Sequence, residues 1–249
     1  MKKISFLILI LSASLLVACV SQKKILLYQG ILGASVEKTV QHPQYRVQSG
    51  DILYIDVKSV DEKAVTFING NNTVNNSQQL YSEQYLFFKG YEVGTNGAIQ
   101  LPFIDSIKVA GMTMGEISSL LVDSLREYVF EPVVSVKLSN FRVNVNGEVA
   151  NPGYFAFYSS SVTIFDVLAL AKPTDFANRR NVVITRKISE DSVMVDRIDI
   201  TTKEIINSPY YFMQPGDQLY FEPLRSKQFG FANFPYSLVL SIISTGLVI

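Results

Sequence analysis

Cysteine and histidine are nearly absent from this chain of 249 residues, and tryptophan is absent altogether. One Cys and one His cannot build an intrachain disulfide or a zinc cluster, and they leave little basis for thiol–imidazole chemistry. Lys plus Arg equals Asp plus Glu at 22 each, so the zero net charge gives no general attraction to nucleic acid. We therefore expect no enzyme, no catalytic residue, no metal site and no nucleic-acid partner.

The first residues have the form of a bacterial lipoprotein signal. Two lysines precede an apolar stretch at 4–17, and the letters LVAC at its end resemble a lipobox whose cysteine is Cys19. This resemblance implies that residues 1–18 are removed as a signal peptide. It also implies that the Cys19 sulfur carries a diacylglycerol and that its new amino group is acylated, which would anchor the protein stably. A chance cysteine near an ordinary cleavage site, or an uncleaved anchor, is the alternative.

Residues 19–41 are predicted to form a lipidated linker. Residues 20–24 contain no acid, and by similarity to lipoprotein sorting patterns this favours the outer membrane, with the bulk of the protein in the periplasm. Apart from the covalent lipid on Cys19, no cofactor is expected.

The uncharged segment 236–249 is the second unusual end of the chain. As a helix it would reach only about 21 Å, short of a hydrocarbon core of roughly 30 Å. Its polar residues recur at i, i+4, i+7 and i+8 and form one narrow stripe: Ser237, Ser241, Ser244 and Thr245. In a ring of copies this stripe could line a water-filled lumen while the apolar faces meet lipid. A β-rich tail or a core helix stays open, since β-branched residues and Gly246 disfavour a helix.

Two stretches of the chain have similar sequences. Gly50-Asp51 precedes the alternating strand 52–57, and Gly216-Asp217 precedes a similar apolar stretch at 219–222. This repeat suggests two modules of related construction, without proving that a domain was duplicated.

The stretch 140–173 combines a strand, a turn and a helix. Val143 and Val145 alternate with polar residues, and Asn-Pro-Gly at 151–153 predicts a turn. Thr163 and an acid three residues on predict a capped helix that Pro173 ends. Its apolar face is Ile164, Val167, Leu168 and Ala171. Strand, hairpin and short helix in this order predict a small β-grasp-like unit.

A second capped helix is predicted after Thr113, with Glu116 completing the capping box. The residues expected on its apolar face are Ile117, Leu120, Leu121, Leu125 and Tyr128. Further strands are predicted at 133–138, 181–187 and 193–198.

Residues 60–94 are predicted to be a polar loop, with an Asn-rich insertion at 69–79 whose role the sequence does not define. An aromatic group follows the insertion: Tyr81, Tyr85, Phe87, Phe88 and Tyr91. Aromatic faces can stack on sugars, but burial in strands is the interpretation we favour.

Taken together, these segments resemble the outer-membrane polysaccharide export lipoproteins, the Wza-like auxiliary proteins, particularly their Bacteroidetes-type members. The resemblance is carried, in the family's order, by YRVQSGDIL at 45–53, GAIQLPFI at 97–104, VAGMT at 109–113 and VNVNGEVANPGY at 143–154. The chain departs from the family where Ala171-Lys172-Pro173 replaces the usual Ala-Gly-Gly.

The resemblance implies an α+β fold of two small β-grasp-like modules. They would be a polysaccharide export domain at 42–139 and a soluble-ligand-binding β-grasp (SLBB) domain at 140–226. A C-terminal amphipathic outer-membrane helix at 227–249 would follow them.

The function implied by the resemblance is export of capsular polysaccharide or exopolysaccharide through a porin-like channel. Identical lipoproteins would form a ring, an octamer by resemblance, in contact with outer-membrane lipid. The partners would be the exported polysaccharide and an inner-membrane polysaccharide copolymerase.

Two other functions stay open. The chain could be a monomeric periplasmic lipoprotein that binds a glycan or a small soluble ligand through the SLBB module. It could also be a glycan hydrolase that uses carboxylates alone, such as Asp51, Glu148, Asp166 and Asp217, although each has a turn or capping explanation.

Overall fold

The computed structural model describes residues 26–29, 44–69, 87–102, 104–189 and 191–228, together with positions 237, 241 and 244–246. Its strands are β1 (Ile52–Lys58), β2 (Tyr91–Glu92), β3 (Ala98–Leu101), β4 (Ile104–Lys108), β5 (Val133–Leu138), β6 (Arg142–Gly147), β7 (Gly153–Ala156), β8 (Ala177–Ser189), β9 (Ser192–Ile198) and β10 (Gln218–Pro223). Its helices are α1 (Glu62–Asn69), α2 (Met114–Leu125), α3 (Ile164–Ala171) and α4 (Arg225–Gln228), with a 3-10 helix at Lys203–Asn207.

The first hydrophobic core lies between a small antiparallel sheet and α2. Strand β1 is central in the order β2-β1-β5, and β3 and β4 form a separate hairpin. The predicted strand 52–57 is confirmed as β1, and because side chains alternate along a strand, it turns Leu53, Ile55 and Val57 into this core. Helix α2 adds Ile117, Leu121 and Leu125 from its buried face.

The predicted capping box of α2 is confirmed, but the predicted apolar face is too long. The Thr113 hydroxyl accepts from the Glu116 N–H at 3.3 Å, and the Thr113 N–H donates to the Glu116 carboxylate at 2.7 Å. The helix ends at Leu125, so the helical spacing does not extend to Tyr128, which is 53% exposed. Val129 is buried in its place.

The prediction of a continuous loop over 60–94 is wrong, because residues 62–69 form α1. The Asn69 amide at the end of this helix accepts from the Val57 N–H at 3.2 Å and donates to the Val57 carbonyl oxygen at 2.8 Å. The side chain thus pairs with the edge of β1 as a neighbouring strand would. Residues 70–86, with most of the Asn-rich insertion, lie outside the described residues.

The aromatic group near 87 differs from its predicted burial. Phe87 and Phe88 are 57% and 81% exposed, and their rings make an edge contact with centroids 5.5 Å apart. Tyr91 is half-buried in β2 and packs against the first core. Tyr81 and Tyr85 are not among the described residues.

The second core lies under a five-stranded sheet of order β7-β6-β10-β8-β9. Strand β10 runs parallel to β6 and antiparallel to β8, and all other neighbouring pairs are antiparallel. The predicted inward residues Val143 and Val145 are buried, and so is the whole predicted face of α3: Ile164, Val167, Leu168 and Ala171. The strands predicted at 133–138, 181–187 and 193–198 are confirmed within β5, β8 and β9.

Helix α3 ends at Ala171, and a left-handed cap residue lies between it and the proline that was predicted to end it. Lys172 adopts a left-handed conformation with φ of +51°, and its N–H donates to the Leu168 carbonyl oxygen at 2.9 Å. Glycine occupies such positions at least cost, and this is where the related family usually has glycine. Pro173 follows the cap and lies beside Val149 in an isolated bridge.

Part of the predicted linker packs against the second core. The Gln29 N–H donates to the Thr201 carbonyl oxygen at 2.7 Å, and the Tyr28 ring stacks on Phe165 of α3 with centroids 4.6 Å apart. Residues 26–29 are therefore fixed to the unit that carries α3.

The mixed α/β composition of the chain is confirmed. The β-grasp nature of the two modules and the boundaries at 42–139, 140–226 and 227–249 stay predictions. In the described part of the chain, no helix combines the length and the apolar character needed to cross a membrane.

The Thr163 cap gives a direct test of why α3 begins where it does. Its hydroxyl accepts from the Asp166 N–H at 3.3 Å, so we expect Thr163→Ala to lower the free energy of unfolding by about 1 kcal/mol. Thr202 is a matched control, because it precedes the 3-10 helix without any side-chain capping bond. Equal losses in urea denaturation of Thr163→Ala and Thr202→Ala would contradict the capping explanation.

Candidate functional site

The two Gly–Asp turns singled out in the sequence meet at one cleft of about 420 Å³. Gly50 and Asp51 line one side, and Pro215 and Gly216 line the other. The other lining residues are Tyr45, Gln48, Ser49, Asn140, Arg142, Asn144, Tyr154, Lys187 and Gln218. The cleft therefore lies where the first sheet meets the second.

In the first turn a buried carboxylate holds the backbone. Gly50 takes φ of +87°, a conformation that favours glycine. The Asp51 carboxylate accepts from the Gln48 N–H and from the Tyr45 hydroxyl, each at 2.8 Å. Burial raises the pKa of the Asp51 carboxyl, and the Gln48 and Tyr45 hydrogen bonds act against this rise. Burial and the neighbouring Asp51 carboxylate also raise the pKa of the Tyr45 hydroxyl.

The second turn repeats this geometry with a charged partner. Gly216 takes φ of +83°, and the Asp217 carboxylate accepts from the Gln214 N–H at 2.7 Å. Arg186 donates to the two Asp217 oxygens from Nε at 2.9 Å and from Nη2 at 2.7 Å. The two side chains are only 7% and 0% exposed, so this ion pair is buried. Burial raises the pKa of the Asp217 carboxyl, while Arg186 and the Gln214 N–H favour its charged form.

Arg186 also holds the chain that precedes the second turn. Its guanidinium donates to the carbonyl oxygens of Pro209 and Phe212, each at 3.0 Å, and lies 5.1 Å from the centre of the Tyr210 ring. Sequence reasoning did not single out this residue. The available signal was its place on the same strand face as Val182 and Ile184, where a charged side chain needs a partner.

Asn140 joins the two sheets at the cleft. Its amide oxygen accepts from the Ile52 N–H at 3.1 Å, and its amide nitrogen donates to the Gly50 carbonyl oxygen at 3.1 Å. Across the cleft, Lys187 Nζ lies 3.5 Å from the Ser49 carbonyl oxygen. These contacts place the start of β1 beside the second sheet.

The four carboxylates considered for hydrolysis all accept hydrogen bonds within the fold. Asp51 and Asp217 hold the turns, and the Asp166 carboxylate accepts from the Thr163 N–H at 2.8 Å. Glu148 accepts from the Thr174 hydroxyl at 2.7 Å and from Lys227. Among the described residues, no three His, Cys, Asp or Glu side chains are grouped closely enough to hold a metal ion.

The described positions of the hydroxyl stripe are helical and exposed. The Ser244 and Thr245 hydroxyls donate to the Ser241 carbonyl oxygen at 2.9 and 2.8 Å, a local pattern common in helices. That these residues and Ser237 line a lumen stays a prediction. Cys19, the predicted lipidation site, lies outside the described residues.

Comparison with known proteins identifies the part of the chain that contains the first core. Residues 39–139 match the family described as polysaccharide biosynthesis/export protein. The EPS I polysaccharide export outer membrane protein EpsA of Ralstonia nicotianae is 32% identical over 128 residues, which cover 50% of this chain and 33% of the relative. The protein of that name from Ralstonia solanacearum is 30% identical over 128 residues, again 50% of this chain and 33% of the relative. The chain thus spans a third of the length of these curated relatives.

This match and the two relatives confirm the resemblance to Wza-like polysaccharide export proteins. The export role in the family's description suggests a transport function without catalysis.

The two Gly–Asp turns allow a comparison of a charged and a neutral partner in one geometry. We expect Asp217→Asn to lower the free energy of unfolding by about 3–5 kcal/mol, because it leaves the Arg186 charge buried and uncompensated. Asp51→Asn removes a charge whose side-chain partner is the neutral Tyr45 hydroxyl, so the expected loss is about 1 kcal/mol.

Chemical denaturation of both variants measures this difference. Arg197→Gln is the control, since it breaks the more exposed pair with Glu222 and should cost about 0–1 kcal/mol. Similar losses for Asp217→Asn and Arg197→Gln would show that the buried pair is not a main support of the fold.

Proposed function

We propose that this protein is an outer-membrane lipoprotein whose copies form a ring-shaped channel for capsular polysaccharide or exopolysaccharide. The observation that carries this proposal is the match of residues 39–139 to the polysaccharide export family. The names of the Ralstonia relatives, which are polysaccharide export outer membrane proteins, support the same substrate class and membrane.

We propose two attachments to the membrane, the lipid on Cys19 and the C-terminal segment. Both would connect to the unit that contains the second sheet. The lipid on Cys19 would be separated from the docked segment 26–29 by about seven residues, which reach roughly 25 Å when fully extended. Toward the other end, α4 follows directly on β10, and the striped segment 236–249 comes soon after it. We therefore propose that the second sheet faces the outer membrane and that the export domain extends into the periplasm.

The hydroxyl side chains of the C-terminal helices would line the lumen of the ring. Helices satisfy their own backbone groups in lipid, so a ring of helices can enclose a pore. In that ring Ser237, Ser241, Ser244 and Thr245 would face water and the apolar residues would face lipid. An inner-membrane copolymerase would deliver the polysaccharide to the periplasmic side.

The ring is tested by the size of the particle in detergent. We expect protein purified from outer membranes in a mild detergent to have the mass of a closed oligomer by light scattering, and to show a central opening in electron micrographs. A particle of a single chain would contradict the ring and favour the monomeric glycan-binding lipoprotein. Deletion of 236–249 separates the two functions in cells, because only the channel should lose surface polysaccharide.

The lumen prediction is tested with single cysteines in the terminal helix. Ser241→Cys is expected to react with a water-soluble maleimide, whereas Val239→Cys, about 200° away around a helix, should be protected by lipid. Cys19 is the natural cysteine of the chain, and its acylated sulfur would not react with maleimide. The labelling of each variant therefore reports on the introduced thiol. Equal labelling of the two variants in intact membranes would contradict a stripe that faces water.

A further inference from the structure

The outer face of the second sheet carries a row of polar and aromatic side chains across four strands. Tyr154 on β7 is paired with Asn144 on β6, and Asn144 is the neighbour of Gln218 on β10. Gln218 in turn is paired with Thr185 on β8. Because paired residues on adjacent strands point to the same face, this row lies opposite the buried valines and leucines of the core. Three of the four residues, Tyr154, Asn144 and Gln218, line the cleft.

Two positively charged residues lie on this face, at the end where it borders the cleft. Arg142 stands two residues before Asn144 on β6, and Lys187 stands two residues after Thr185 on β8, so both share its face. Both side chains line the cleft and both residues are exposed. Among the described lining residues the remaining charge is Asp51, whose carboxylate is turned inward to Gln48 and Tyr45. The charged residues that line the cleft are therefore two cations and one anion, which gives a net positive charge.

These side chains match the chemistry of an acidic sugar. The Tyr154 residue is 73% exposed and can lie against the apolar face of a sugar ring. The amides of Asn144 and Gln218 can each donate and accept, as pairs of sugar hydroxyls require. Arg and Lys form charge-assisted hydrogen bonds with a carboxylate. The volume of about 420 Å³ lies within the range of about 300–1,000 Å³ usual for ligand sites.

We propose that this cleft binds carboxylate-bearing sugar units, with the carboxylate at Arg142 and Lys187 and a sugar face on Tyr154. The inference rests on the proposed export function for the identity of the polymer, and it specifies that the polymer is acidic. Binding is weak, roughly millimolar, because a transported chain must also leave each site.

The test uses the full-length protein in detergent and two matched probes. Tetragalacturonate carries a carboxylate on every ring, and maltotetraose carries none. Calorimetric titration at low salt is expected to show the acidic probe binding at least about tenfold more tightly than the neutral one. Raising the salt concentration should weaken the acidic probe only, because salt screens exposed charges.

Variants locate the binding within the cleft. Tyr154→Ala and Arg142→Gln are each expected to weaken tetragalacturonate binding by about tenfold. Tyr158→Ala is the matched aromatic control, because Tyr158 is 72% exposed but does not line the cleft. Lys137→Gln is the control for loss of an exposed positive charge on the first sheet.

Three results would overturn the inference: no binding of tetragalacturonate, equal binding of the two probes, or equal weakening by Tyr154→Ala and Tyr158→Ala. The export function is judged separately, by surface polysaccharide in cells that lack residues 236–249. Loss of export with no probe binding rejects the cleft site alone. Probe binding with unchanged export rejects the channel and leaves the cleft as a sugar site.

Discussion

The buried ion pair between Arg186 and Asp217 holds the centre of the second sheet together. Asp217 immediately precedes β10, and its carbonyl oxygen accepts from the Asn144 N–H at 2.9 Å. The preceding Gly216 N–H donates to the Arg142 carbonyl oxygen at 2.8 Å, which ties the turn to β6. Arg186 ties the same turn to β8. The turn is therefore tied to β6 through its backbone and to β8 through the Asp217 carboxylate. Because both charges are buried, removing either one alone is costly.

The same turn occurs in the first sheet with a weaker partner. Asp51 also accepts from a backbone N–H three residues earlier, but its side-chain partner is the neutral Tyr45 hydroxyl. Breaking a hydrogen bond to a neutral group costs less free energy than removing one charge of a buried ion pair. Because Asn140 binds the Gly50 and Ile52 backbone, the first turn is held against the second sheet. The cleft is thus lined by the two turns and by Asn140, which binds the first of them.

Local signals in the sequence predicted much of this fold. Alternation predicted β1 and β6, and the Thr163 capping box predicted α3 and its buried face, because these features depend on neighbours within a few residues. The polar surroundings of 62–69 concealed α1, whose anchor, the Asn69 amide on Val57, depends on a contact between separate elements. Arg186 and the cleft were missed for the same reason. Their partners come from distant parts of the chain, and a local hydrophobic pattern does not indicate such long-range contacts.

The exposure of the cleft is consistent with transport rather than storage of a ligand. Tyr154, Arg142 and Lys187 all face solvent, so a sugar bound there would keep part of its hydration and gain only a modest free energy. In a ring, one polymer could contact several copies, and linked weak contacts increase the total affinity steeply. A tight site in each copy would therefore hold the chain in place. Weak, repeated and open sites let each unit of the polymer bind and leave, which is the condition for passage.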